Sequence, residues 1–287
     1  MTLSAPPSSR SSKPSLSGGT ESTTNVRALS LLWFIPFAGA LLVVATGIAV
    51  PSPTVLMVFR VEVSFVEAVA FIGSALAARA FDRGDYLRTA WALQAACFFF
   101  LFFSDLTRFP AVGQIDPTGT LRTVLSMIAN GSAIVGAWRF GRAWGEADLP
   151  DAARTRRRAY IAAAVVALAL AGGPLVKDVG CVLASGDREA LTNICSELGD
   201  IGSLCLLAPV LPTAIALRGG KLAWPWSLLA ASLIAWLSFD GAVAIADGAN
   251  GDDVTKRTLV EVFRTLGSLF TWSAGIAQRH VMRMGKD

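Results

Sequence analysis

Apolar residues run through this chain in long blocks rather than alternating with polar ones. Stretches of about 20 mostly apolar residues recur at 28–50, 54–78, 88–108, 122–144, 158–176, 196–217, 223–246 and 258–279. A helix of that length crosses a hydrocarbon core about 30 Å thick and satisfies its backbone polar groups internally. The pattern predicts an all-α fold, a polytopic transmembrane bundle of eight spanning helices.

Three blocks carry internal polarity. The fourth holds Asn130, Gly131, Ser132 and Arg139, the fifth ends in Gly172, Gly173 and Pro174, and the sixth holds Pro209 and Pro212. Ala129 to Ala133 and Ser132 to Gly136 have the small-xxx-small spacing of close helix contacts, so the fourth block reads as a packing surface. The two prolines are expected to kink the sixth span rather than break it, because neighbouring helices can satisfy the freed carbonyls.

Residues 1–25 are rich in Ser, Thr, Pro and Gly and lack a large apolar run. Such a segment cannot bury enough surface to offset chain entropy, and a disordered cytoplasmic tail is expected there. Residues 26–280 then form the helical domain and 281–287 a short cytoplasmic tail. The first apolar block exceeds the 7 to 15 residues of a signal-peptide core, so it is expected to remain as a span.

Composition makes lipid the main partner. Apolar residues are 53% of the chain, charged ones 16%, and the mean hydropathy is +0.55. The net charge of +4 is a matter of placement. With a cytoplasmic N-terminus, seventeen of the 25 Lys and Arg fall on the inner side and six on the outer, while Arg60 and Arg264 lie within spans. Basic residues beside spans stay cytoplasmic, so both termini are expected inside the plasma membrane, the inner membrane of a bacterium. The densest cluster, Arg154 to Arg158, would hold a cytoplasmic loop against anionic headgroups. No basic groove with interleaved aromatics is present, which argues against nucleic acid.

Candidate chemistry is sparse. Cys181 and Cys195 fall in the one loop, between spans five and six, that this topology exports, and a disulfide is expected between them. Closing about 15 residues would contribute about 3 kcal/mol on the chain-entropy argument. Cys97 and Cys205 lie inside spans as small apolar fillers. His280, the single histidine, stands at the cytoplasmic end of the last span among Arg279, Arg283 and Lys286. No base is thus available in the membrane for Ser-His-Asp or Cys-His catalysis, and no zinc set is present. Asp240-Gly241 followed by Ala244 resembles the start of the CDP-alcohol phosphotransferase motif. Ile245 stands where that motif has arginine, however, and its downstream acid pair is missing. Gly199-Asp200 is similar to half of an intramembrane aspartyl protease signature, yet Glu197 occupies its first glycine position. No enzyme activity, metal or cofactor is expected.

Ionisable residues within spans are the informative remainder, because each is costly unless paired or wetted. At about 1.5 Å rise per residue, Arg60, Glu62, Asp105, Arg108, Glu197, Asp200, Asp240, Glu261 and Arg264 all fall in the outer half, and Glu67 alone lies deeper. Asp105 and Arg108, Glu197 and Asp200, and Glu261 and Arg264 are three apart, and Arg60 and Glu67 seven apart, so each pair shares a helical face. Two arrangements fit this pattern. One is a polar ligand cavity open to the outside, enclosed by spans two, three, six, seven and eight; the other is a set of structural ion pairs and interfacial caps.

A cavity confined to the outer half suits a receptor-like or sensory module, whereas a transporter or permease of a small solute or ion needs polar groups through the inner half as well. The stretch from Arg88 to Arg108, with Trp91 early and Asp105 late, loosely resembles the multi-helix input domains of bacterial signalling proteins, over one helix in eight. Eight residues follow Arg279, so a sensor of this kind is expected to signal through a cytoplasmic or membrane partner. Transport is the second expectation.

Overall fold

In the computed structural model, which describes residues 19–145, 152–208, 210, 223–248 and 253–284, every expected apolar block lies wholly or partly in its own long helix. These are α1 (Gly19–Ala49), α2 (Ser52–Ala80), α3 (Tyr86–Leu106), α5 (Thr120–Gly145), α6 (Ala152–Ser185), α7 (Arg188–Leu207), α8 (Ala223–Gly248) and α9 (Asp253–Met284). A single turn, α4 (Pro110–Gly113), lies in the connection between α3 and α5. Among the described residues there is no strand. Four segments are long and apolar enough to cross a membrane: Leu29–Ala49, Tyr86–Leu106, Arg154–Ser185 and Ala223–Ala246. Residues 1–18 of the expected tail lie outside the described residues, as do Pro209 and Pro212 of the expected kink.

Six helices close into a ring: α2 packs on α3, α3 on α5, α5 on α7, α7 on α8, α8 on α9, and α9 back on α2. The remaining two lie outside it. α1 runs along α9, and α6 fills the groove between α7 and α8. This placement explains why both are apolar around their whole circumference yet buried along one edge. α1 buries Leu29, Ala40 and Val43 while Leu31, Phe34, Leu41 and Ile48 stay exposed. α6 buries Ala163, Ala167 and Ala171, spaced by four, and exposes Ile161, Val165, Leu168 and Leu183. Water would penalise that much exposed apolar surface, and a bilayer removes the penalty.

Close crossings depend on missing side chains. A Cβ on Gly275 of α9 would collide with the Gly73 carbonyl of α2, and one on Gly73 would sit 2.8 Å from the Trp272 Cα. Gly199 of α7 packs against Asn130 of α5, and Ala129 and Ala133 are buried beside them, as the small-residue spacing predicts. Pro174 inside α6 cannot donate to the Leu170 carbonyl. That carbonyl faces Gly241 of α8, where an added Cβ would lie 3.1 Å away.

The largest departure from expectation is at 177–195. This stretch is helix, not loop. α6 continues past Pro174 to Ser185, and α7 begins at Arg188, with Gly186 at φ +66° making the turn. Cys181 and Cys195 therefore stand on two separate helices as free thiols, and the expected disulfide is not formed. Rigid helical backbone on both sides prevents the approach that a flexible loop would allow.

Replacing Gly275 with Val should lower the unfolding free energy by about 1–3 kcal/mol through backbone displacement at the α2–α9 crossing. Gly131→Ala, at an open helical position, should instead raise stability by up to about 1 kcal/mol. Thermal unfolding of the two purified variants in detergent checks both.

Candidate functional site

Helices that alternate in direction bring their ends to two levels. At one level α2, α5, α7 and α9 begin and α3, α6 and α8 end. There the ring opens into a cavity of about 850 Å³, within the size range of small-molecule sites. Of the ten ionisable residues singled out in the sequence, Arg60, Asp105, Arg108, Glu197, Asp240 and Arg264 line it. Glu67, Asp200 and Glu261 are buried in contact with that group. Glu62 does not line the cavity; it neighbours Glu261 on the α2–α9 side.

Arg264 ties three helices together. One guanidinium nitrogen donates to Glu67 Oε1 at 2.6 Å on α2 and also to Asp105 Oδ2 on α3. The Arg264 guanidinium stands 5.7 Å from the centre of the Phe239 ring on α8. Asp105 turns its other oxygen to Arg108 Nε at 3.1 Å, and Glu261 is paired with Arg257 at 2.5 Å. Arg264, Glu67, Asp105 and Glu261 are each 5% exposed or less, so these pairs lie where water cannot screen them. Structural ion pairs and a cavity, the two alternatives left open by the spacing, are both present and share residues.

The opposite wall is acidic. Glu197 and Asp200 on α7 and Asp240 on α8 are buried together, with Asp200 and Asp240 within hydrogen-bond reach of one another. Asp178 on α6 is a further charged neighbour of Glu197 and Asp240. One oxygen of Glu197, Oε2, and one of Asp240, Oδ2, are buried without a hydrogen-bond partner among the described residues. The cavity is thus divided, with paired arginines on the α2, α3 and α9 side and carboxyl groups on the α6, α7 and α8 side. Trp236, one turn before Asp240, lines it beside Phe239.

Two helices absent from the expected enclosure also contribute walls. α5 supplies Arg122, Ser126 and Asn130, and α6 supplies Lys177, Asp178 and Cys181. Reading Lys177 and Asp178 as loop hid them, and nothing in hydropathy marks a polar helix end that faces inward rather than outward. Arg257, one of the six basic residues that the topology puts on the outer side, escapes notice for the same reason, although its i, i+4 spacing to Glu261 signals the pair. Among the described residues no group of His, Cys, Asp and Glu has the arrangement to hold a metal ion.

Comparison with known proteins found no matching family model, curated protein or solved structure, so function has to be read from these side chains.

Arg264→Met should destabilise the fold by about 3–5 kcal/mol, because Glu67 would remain buried and unpaired and Asp105 would keep only Arg108. Adding Glu67→Gln and Asp105→Asn to that variant should recover most of the loss, and chemical denaturation of the three proteins measures it. A second test concerns the cavity rim. Asp116 Oδ2 accepts from the Arg122 amide at 3.0 Å, and backbone hydrogen bonds, that from Arg122 first, hold its carboxyl below the usual aspartate value. A lowered folded value means the cap is complete above the ordinary aspartate range and is lost as pH falls through its own lower value. Hydrogen exchange at the first turn of α5 should accelerate in that acid range, beyond intrinsic rates, and Asp116→Asn should remove the transition.

Proposed function

We propose that the chain crosses the plasma membrane eight times, with both termini cytoplasmic, and works as a receptor-like sensory module that takes a small ligand into the cavity from outside. The observation that carries this reading is that the residues lining the cavity all come from one end of the helices, with Leu101, Asn130, Trp236 and Arg264 the deepest on α3, α5, α8 and α9. The cavity floor is the Arg264–Glu67–Asp105 group and the packed rings of Phe98 and Trp236, 6.1 Å apart. Below it Trp91, Phe140 and Trp226 fill the ring, with centroid distances of 5.2 and 5.3 Å from Phe140.

Charge distribution supports the same reading. No Asp, Glu, Lys or Arg occurs at 68–78, 89–104, 123–138, 159–176 or 265–278, stretches of α2, α3, α5, α6 and α9 that start at or near the cavity and run away from it. Polar groups there are hydroxyls and amides such as Ser74, Gln94, Ser273 and Gln278. Proton relays and ion pathways use ionisable groups along their length, and this middle layer has none. Beyond it lie Arg79, Arg83, Arg88, Arg139, Arg142 and the Arg154–Arg158 cluster. That basic end supports the cytoplasmic assignment and offers a surface for anionic headgroups or a signalling partner.

Transport of a small solute is the second reading, favoured by the same ring of helices around a central site. Reconstitution separates the two. Under the receptor reading, liposomes containing the protein take up no labelled small solute above protein-free controls, whichever side the cavity faces. Uptake that stops when Cys181 on the cavity wall is alkylated would establish transport instead. Orientation has its own test: Ser185→Cys at the α6–α7 turn should react with a membrane-impermeant maleimide in intact cells, and Arg83→Cys at the opposite end only after permeabilisation.

A further inference from the structure

The two walls of the cavity differ in whether their charges are satisfied. On the arginine side Arg264 holds Glu67 and Asp105, Arg108 shares Asp105, and Arg257 holds Glu261. On the acidic side the charged groups that bear most on Glu197, Asp200 and Asp240 are other carboxyl groups, while Lys177 of α6 lines the same cavity beside Asp178. These three are 3%, 8% and 5% exposed, too enclosed for water to disperse their repulsion. Protons or a bound cation would relieve that repulsion.

Two details select the kind of cation. Glu197 Oε2 and Asp240 Oδ2, on adjacent helices of the cavity wall, are acceptors buried without a donor among the described residues. A group offering several N–H bonds satisfies both. Trp236 lies one helical turn from Asp240 and lines the same cavity, where an exposed edge of its largely buried ring can meet the alkyl part of a ligand. A divalent metal fits less well, since among the described residues no group of His, Cys, Asp and Glu has the arrangement to hold one. From this geometry we infer that the cavity binds a primary amine, its ammonium group donating to Glu197 and Asp240 and its carbon skeleton resting against Trp236. The inference rests on the reading of the cavity as a ligand site and gives that ligand its chemical class.

Cys181 lines the same cavity and is partly exposed, so its alkylation reports occupancy. The full-length protein in detergent is treated with a maleimide, and modification of Cys181 is followed by peptide mass spectrometry. Three probes of similar shape are compared: phenethylamine, the neutral phenethyl alcohol, and benzyltrimethylammonium, a cation without N–H donors. Phenethylamine is expected to slow labelling about tenfold, and the other two by less than about twofold. Glu197→Gln and Asp240→Asn should each raise its half-protecting concentration about tenfold, with thermal unfolding confirming that the variants fold.

Equal protection by all three probes would overturn the ammonium assignment and leave a ligand cavity standing. Protection by benzyltrimethylammonium equal to that by phenethylamine would overturn the hydrogen-bonded mode. No protection by any of them, or by a panel of anionic and neutral solutes, would remove both the amine and the ligand-site reading. The wild-type comparison alone decides the inference if a variant fails to fold.

Discussion

A charge taken out of water must be answered by another charge at close range, and Arg264 is where this structure meets that requirement. Its guanidinium is 5% exposed and lies among α2, α3 and α8 as well as its own helix. Leaving such a group unpaired in a low-dielectric interior would cost several kcal/mol. The requirement sets the register of three helices at once, because Glu67, Asp105 and Arg264 must reach the same depth. Apolar packing alone would tolerate sliding of one helix past another; a charged knot does not. The glycine contacts between α2 and α9 serve the same register from the apolar side.

Those ion pairs and the cavity depend on one another. Arginines committed to Glu67, Asp105 and Glu261 answer the charges of the α2, α3 and α9 wall, whereas Glu197, Asp200 and Asp240 opposite lie against one another. Rigid pairing also fixes the shape against which any bound molecule must fit. A cavity built only from flexible, exposed charges would offer neither a defined field nor a defined outline.

Much of this was legible in the sequence, for a physical reason. Lipid imposes a length and an apolarity on each helix that a soluble core does not, so the eight blocks stand out and each falls in a long helix. Intramembrane charge is rare for the same reason, and nine of the ten ionisable residues picked out on that ground gather at or directly behind one cavity. Helix ends were less legible. Gly172, Gly173 and Pro174 signal termination in water, but between α7 and α8 the helix runs on to Ser185. That extension carries Lys177, Asp178 and Cys181 to the cavity wall and takes Cys181 out of reach of Cys195. Pairings across helices were not legible at all. Arg264 shares a face with Glu261 yet pairs with Glu67 on α2 and Asp105 on α3, a choice made by the neighbouring helices.

The uncharged middle layer carries a consequence for how a signal could leave the cavity. With no ionisable groups between the carboxyl cluster and the basic end, charge cannot be handed through the bundle. An effect of ligand on the far side has to travel as helix displacement. α9 is the element suited to it, since it reaches from Arg257 at the cavity to Arg279 at the opposite end and contacts α1, α2 and α8 along its length. Its crossing with α2 is a close backbone contact at Gly73 and Gly275, so a displacement of α9 would carry α2 with it. A bound cation relieving repulsion at Asp240 would move α8, and through the Phe239–Arg264 contact that motion reaches α9 directly.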